Sequence, residues 1–215
     1  MKRNSQNSAA TAPASAPQYI FPTTFAQQRL WFLEQLQPGG TSYLVPWSLR
    51  IEGALNVSAL EKSLDEIVQR HEILRTTFTW KDEIPMQVVG SRMFTLPVLN
   101  LSGLDRPEEK AEELARAEAR IPLDLERGPL FRAQLLRLNP QLHVLLLTMH
   151  HIIFDGWSRR ILIQELSTLY EAFCAGRPSP LPAPNLQYAD YAVWQRKHLQ
   201  GANLEKQLSY WRNQL

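Results

Sequence analysis

HVLLLTMHHIIFDGWS, residues 143–158, begins as an apolar run and ends with two histidines, an aspartate and a glycine close together. Val144 to Met149 is apolar on both faces, the pattern of a central strand covered on both sides rather than of an edge strand. Successive side chains of a strand point to opposite faces, so His150 and His151 cannot both reach one cleft while the strand stays regular. One of them is expected to be structural and the other free for chemistry. Imidazole suits proton transfer near neutral pH because both of its forms are accessible there. Asp155 follows His151 by four residues in a tight turn, and Gly156 leaves room where a side chain would block a close approach. Two neighbouring imidazoles with one carboxylate do not converge as ligands, so no metal site is expected. The same spacing fits a satisfied histidine pair that caps a strand, and the residues alone leave both readings open.

Downstream of the motif, WSRRILIQELSTLYEAFCAG reads as a long helix with Ile161, Leu162, Leu166, Leu169, Tyr170 and Phe173 on its inner stripe. Its Cys174 sits in an apolar helical context that predicts a buried thiol. Upstream, LFRAQLLRL is a second strand, and RPEEKAEELARAEARIPL, full of Glu and Ala, is a solvated helix. YLVPWSLRIEG, NVSALEKSLDEIVQRHEIL and LRTTFTW predict strand, helix and strand, an α/β layer in which the helix covers one sheet face. PTTFAQQRLWFLEQLQPGG carries a Thr cap ahead of Phe25, Leu30, Trp31, Leu33 and Leu36, an amphipathic helix of about three turns. An inward-facing arginine of the stretch RHEILRTTF would need a carboxylate, and Asp155 is a candidate for it. RPSPLPAPN is an extended connector. The helices LQYADYAVWQRKHL and LEKQLSYWRNQL carry Tyr188, Trp194, Leu208 and Trp211, and the aromatic residues of YADYAVW read as packing.

The composition bounds the function. In 215 residues, 44% hydrophobic and 20% charged, the chain has the balance of a globular protein large enough to bury a core. A net charge of +2 with mixed signs offers no field for phosphate backbones, so nucleic acid is not an expected partner. No stretch approaches the ~20 apolar residues of a membrane span, and residues 1–17 lack the apolar core of a signal peptide. With a single cysteine, the chain reads as cytoplasmic. Residues 1–17, rich in Ser, Ala, Pro and Asn, read as a flexible tail.

Four stretches occur in a set order: TFAQQRLWFL (24–33), RHEILRTTF (70–78), MHHIIFDGWS (149–158) and YADYAVW (188–194). In that order and at those separations the chain resembles the condensation domains of nonribosomal peptide synthetases. The His-His-x-x-x-Asp-Gly element alone is similar to that of chloramphenicol acetyltransferase and other acyltransferases of its fold. The resemblance implies an α/β chloramphenicol acetyltransferase-like half-domain, a mixed sheet covered by helices. It implies formation of an amide between a donor acyl or peptidyl thioester and an acceptor amine, each carried on the 4'-phosphopantetheine of a carrier protein, with no cofactor bound directly. His151, the second histidine, is implied to be catalytic. His150, Asp155 and Gly156 support the site, with Asp155 paired to Arg75 or Arg70 and Gly156 beside the substrate channel.

The resemblance also implies that residues 18–176 are the N-terminal subdomain and that 177–215, connector and helices, lead to a C-terminal subdomain. A complete domain of that family is implied to be about twice this length, so this half is expected to be inactive or very weak alone. The implied partners are donor and acceptor carrier proteins, the missing subdomain and an adenylation domain. Asp-Gly-Trp-Ser is similar to domains that take an L-configured donor, and the two histidines exclude heterocyclization domains. If Met1 is native, the donor is a free or CoA-linked starter or a chain delivered by a separate protein. Two other readings stay open: a stand-alone CoA-dependent acyltransferase of the chloramphenicol acetyltransferase type, and a non-catalytic module that docks carrier proteins.

Overall fold

A computed structural model describes residues 19–91 and 93–215. The tail expected over residues 1–17 lies outside the described residues. The chain begins with a short strand β1 (Tyr19–Pro22) and helix α1 (Phe25–Leu36), then strand β2 (Leu44–Glu52) and helix α2 (Val57–Arg70). A 3-10 turn over Glu72–Arg75 leads into the hairpin β3 (Thr76–Lys81) and β4 (Ile84–Val89). Strand β5 (Val98–Asn100), helix α3 (Pro107–Glu118) and strands β6 (Phe131–Asn139) and β7 (Leu142–His150) follow. Helices α4 (Gly156–Cys174), α5 (Tyr188–His198) and α6 (Gly201–Gln214) complete the order.

The strands form two sheets. One is antiparallel in the order β1-β4-β3, and the other is mixed, β2-β7-β6-β5, with β5 parallel to β6. The segment from β2 through α2 to β3 is therefore not one α/β layer, because β2 and β3 belong to different sheets. A strand pattern records which face of a segment is apolar, but pairing goes to the nearest complementary edge. For β3 that edge is β4, joined to it by the two-residue turn at Asp82 and Glu83, where φ is positive at both positions.

β7 is central as its sequence requires. It pairs on one side with β2, Leu147 opposite Trp47, and on the other with β6, Leu147 opposite Ala133. Leu145, Leu147 and Met149 enter the main core with Leu64 and Ile67 of α2, Leu162 and Leu169 of α4, Trp31 and Phe78. The opposite face, with Leu142 and Leu146, packs with Leu136, Leu138 and Ala111 of α3. Burial of such side chains stabilises by about 1.5 to 3 kcal/mol each.

Three expectations need correction. In α1, Trp31 is buried, but Phe25 and Leu36 are exposed and the polar Gln27 is buried instead. The inner face of α1 is narrow: Trp31 meets Phe78 and Trp80 of β3, and Gln27 bonds Gln87 of β4. Cys174 is exposed at the last turn of α4, beyond the part of the helix that the core covers. Ile161, assigned to the inner stripe of α4, is also largely exposed.

Candidate active site

β7 delivers His150 as its last residue and His151 as the first residue of a turn. His150 is 1% exposed. Its amide donates to the Leu130 carbonyl, its carbonyl accepts from the Ile153 amide at 3.0 Å, and its Nδ1 accepts from the Ile152 amide at 3.0 Å. The Nδ1 bond leaves the ring proton on Nε2, which is buried without a partner among the described residues. Burial first, and the neighbouring His151 second, push the His150 pKa down to about 4. It is a neutral structural side chain that holds the turn.

His151 lies outside the strand, in the turn that follows it. It is exposed, and its amide donates to the Tyr43 carbonyl at 2.8 Å, which fixes the backbone without engaging the ring. The turn is held from below by Gln27, whose Nε2 donates to the Ile152 carbonyl at 3.4 Å and to Gln87 Oε1 at 3.2 Å. Gln27 is also the third helical residue of a capping box with Thr24.

Among the described residues Asp155 pairs with no arginine. It caps α4: its Oδ1 accepts from the Ser158 amide at 2.8 Å and from Ser158 Oγ at 2.7 Å. Partial burial raises its pKa, but the bonds from Ser158 and the Trp157 backbone, with His151 nearby, outweigh that and hold the carboxyl below its ordinary value. Arg75 instead donates to the Gly90 carbonyl at 2.6 Å and pairs with Glu72 at 3.3 Å. Arg70 pairs with Glu165 of α4 at 3.0 Å, and His71 Nε2 lies 2.6 Å from the same carboxylate. The expected Asp–Arg brace is thus replaced by a cap and by a separate α2–α4 clamp. A carboxylate at the first turn of a helix has backbone donors within one turn, so it needs no distant cation. Gly156 opens α4 in open space: a side chain there would meet nothing within 4 Å, so no close backbone approach among the described residues requires glycine.

The four sequence stretches meet through side chains. Tyr188 of α5 shares a hydrogen bond with Thr24 Oγ1 at 3.3 Å. The tyrosine's pKa is raised by burial first and by neighbours that include the Asp155 charge, which brings α1, α5 and the motif turn to one face. Gln187, just before α5, donates to the Arg70 carbonyl and accepts from the Glu72 amide at 3.1 Å. Gln195 and Arg196 of α5 bind the Phe25 amide and the Thr23 carbonyl. Sequence reading passed over Gln27, Tyr43 and Gln187. The Thr24-x-x-Gln27 capping spacing was a visible signal for the first; Tyr43 and Gln187 act through backbone contacts that no local pattern marks.

Residues 18–215 match the family model described as Condensation domain. The chain belongs to the condensation domain family. Condensation domains are acyltransferases that form amide bonds. Among curated relatives, the chain is 49% identical over 197 residues to a linear gramicidin synthase of Brevibacillus parabrevis, covering 90% of the chain and 4% of that protein. It is 44% identical over 220 residues to chondramide synthase cmdD of Chondromyces crocatus, covering 100% of the chain and 6% of that protein. Among solved structures, the starter condensation domain of rhizomide synthetase RzmA superposes with a TM-score of 0.83 at 25% identity, over 91% of this chain and 50% of that one. A variant of that domain has been solved in complex with C8-CoA. The chain therefore spans half of that solved condensation domain and a few per cent of the synthetases it matches. No helix among the described residues is long and apolar enough to cross a membrane.

Proposed function

We propose that this chain is the N-terminal, histidine-bearing lobe of a peptide-bond-forming condensation domain, with residues 18–176 as the lobe and 177–215 as the crossover toward a C-terminal lobe. The observation that carries this reading is the division of labour in the His-His pair: His150 is buried and neutral while His151 is exposed on a braced turn. The acceptor amine attacks the carbonyl carbon of the donor thioester, the C–N bond forms, and the C–S bond breaks. His151 either takes the amine proton or orients the amine and stabilises the tetrahedral species, and the departing sulfur leaves as a thiol. Asp155 and His150 position the turn, Gly156 keeps the entrance open, and Arg70 and Arg75 fix α2 and the hairpin behind it. No metal takes part.

Both substrates arrive on the 4'-phosphopantetheine of donor and acceptor carrier proteins, with an adenylation domain adjacent, in the cytoplasm. The lobe alone is inactive or very weak, since the chain spans only half of the solved condensation domain. The test supplies that lobe. With the C-terminal half of the domain restored, the His151→Ala variant should form amide about 10² to 10⁴ times more slowly than the parent, and His150→Asn should lose far less. Undiminished turnover in His151→Ala would remove that residue from the chemistry.

A further inference from the structure

Helices α2 and α4 both send apolar side chains into the main core, Leu64 and Ile67 from α2 and Leu162, Leu166 and Leu169 from α4. One carboxylate joins the two helices where α2 ends. Glu165 Oε1 accepts from Arg70 Nε at 3.0 Å, and its Oε2 lies 2.6 Å from His71 Nε2. The side chains of Arg70 and Glu165 are 11% and 13% exposed, which makes theirs the least exposed ion pair among the described residues. Both carboxylate oxygens are engaged, and by consecutive residues. Apolar contact is non-directional and lets packed helices slide by small steps, whereas a carboxylate held at both oxygens fits one register.

That register bears on the histidine turn. Helix α4 starts at Gly156, just after the turn, and Glu165 lies ten residues beyond the Asp155 cap, about 15 Å along the helix axis. Between the clamp and the turn is a pocket of about 90 Å³ lined by His71, Ile73, Leu74, Ile153, Phe154 and Leu162. Such a gap leaves the turn room to shift, so its place follows from where β7 ends and where α4 begins. β7 is fixed by a strand on each side, which leaves α4 as the end that can move. We propose that Glu165 is a positioning residue for the reaction: by engaging Arg70 and His71 together it sets the register of α4 on α2, and through α4 the turn that presents His151. This rests on the amide-forming reading above and adds to it the group that decides where His151 stands.

The test uses the two-lobed domain and, separately, the 215-residue chain. In the domain, Glu165→Gln, which keeps the shape and removes the charge, should lower kcat per folded molecule about 10 to 10² times while KM for the carrier-bound thioester stays within about twofold. Glu165→Asp, which keeps the charge on a side chain one methylene shorter, should lose less, and it carries the test should the glutamine variant fail to fold. In the 215-residue chain, the backbone amide resonances of His151, Ile152 and Ile153 should shift in Glu165→Gln, while that of Leu145 in mid-β7 stays in place. An unchanged kcat, or a loss accounted for by the unfolded fraction alone, would overturn the proposal, and so would a lower kcat with the turn resonances unmoved. A parent domain that forms no amide would count against the amide reading instead, and the resonance comparison then decides the positioning role by itself.

Discussion

Strand β7 and helices α5 and α6 all carry large apolar side chains, yet these meet opposite fates. Every residue of β7 except Val144 is buried, while α6 buries none and Tyr188, Tyr191 and Trp194 of α5 are all more than one third exposed. The difference is one of neighbours. β7 has a strand on each edge and a hydrophobic cluster on each face. On α5, small Ala189 and Ala192 face inward and the large rings stack on one another outside, ending with Trp194 against His198 at 4.7 Å between centroids. Apolar content alone thus does not locate a core; an apolar residue becomes core where other elements reach it from both sides.

That contrast can be broken at graded cost. Leu147→Ala, in the middle of β7, should destabilise the chain by about 2 to 5 kcal/mol in urea unfolding, since a fully buried leucine leaves a cavity on a face that cannot collapse. A cost below about 1 kcal/mol would mean that β7 is less enclosed than its two flanking clusters imply.

The end of β7 should make stability depend on pH. His150 titrates at about 4 when folded against an ordinary 6.5, so the unfolded chain takes up a proton first as pH falls. Its contribution is fully present above pH 6.5 and is lost as pH falls toward 4, amounting to about 2 kcal/mol between pH 8 and pH 5. His143, lowered by burial and then by Arg137, acts in the same direction. The slope that disappears in His150→Asn is therefore the part to assign to His150, and an unchanged slope would contradict its burial as the neutral form.

Asp155 supplies a third, smaller test, one that separates a cap from an ion pair. Asp155→Ala should cost about 1 kcal/mol, and Asp155→Asn should be nearly neutral because asparagine caps as well. If Asn costs as much as Ala, the negative charge has a partner that the cap does not explain. Smallest of all, Leu208→Ser on α6 should change the stability of the chain by less than about 0.5 kcal/mol.

Much of the site was legible in the sequence, and for a local reason. The apolar run ending at His150 specified a central strand, and strand alternation then required the two histidines to part. The Thr24 cap was readable from residue type and spacing, and it accepts the amide of Gln27. The arginines were harder. Nothing within RHEILRTTF distinguishes Glu72, Glu165 and Asp155 as partners, because a guanidinium on a long side chain reaches any carboxylate that folding brings near. Cys174 misled in a related way: its neighbours are apolar, but it lies past the point where the core ends.

By itself the sequence determined the order and type of the elements around the motif, the centrality of β7 and the different surroundings of His150 and His151. All of these follow from periodicity along a few consecutive residues, where the covalent chain sets the geometry. Only the tertiary structure decided that His150 is the buried one, that β2 and β3 enter different sheets and that Asp155 caps α4. Each of those outcomes depends on which distant groups arrive first at a shared surface, and long-range packing resolves that competition while local pattern does not.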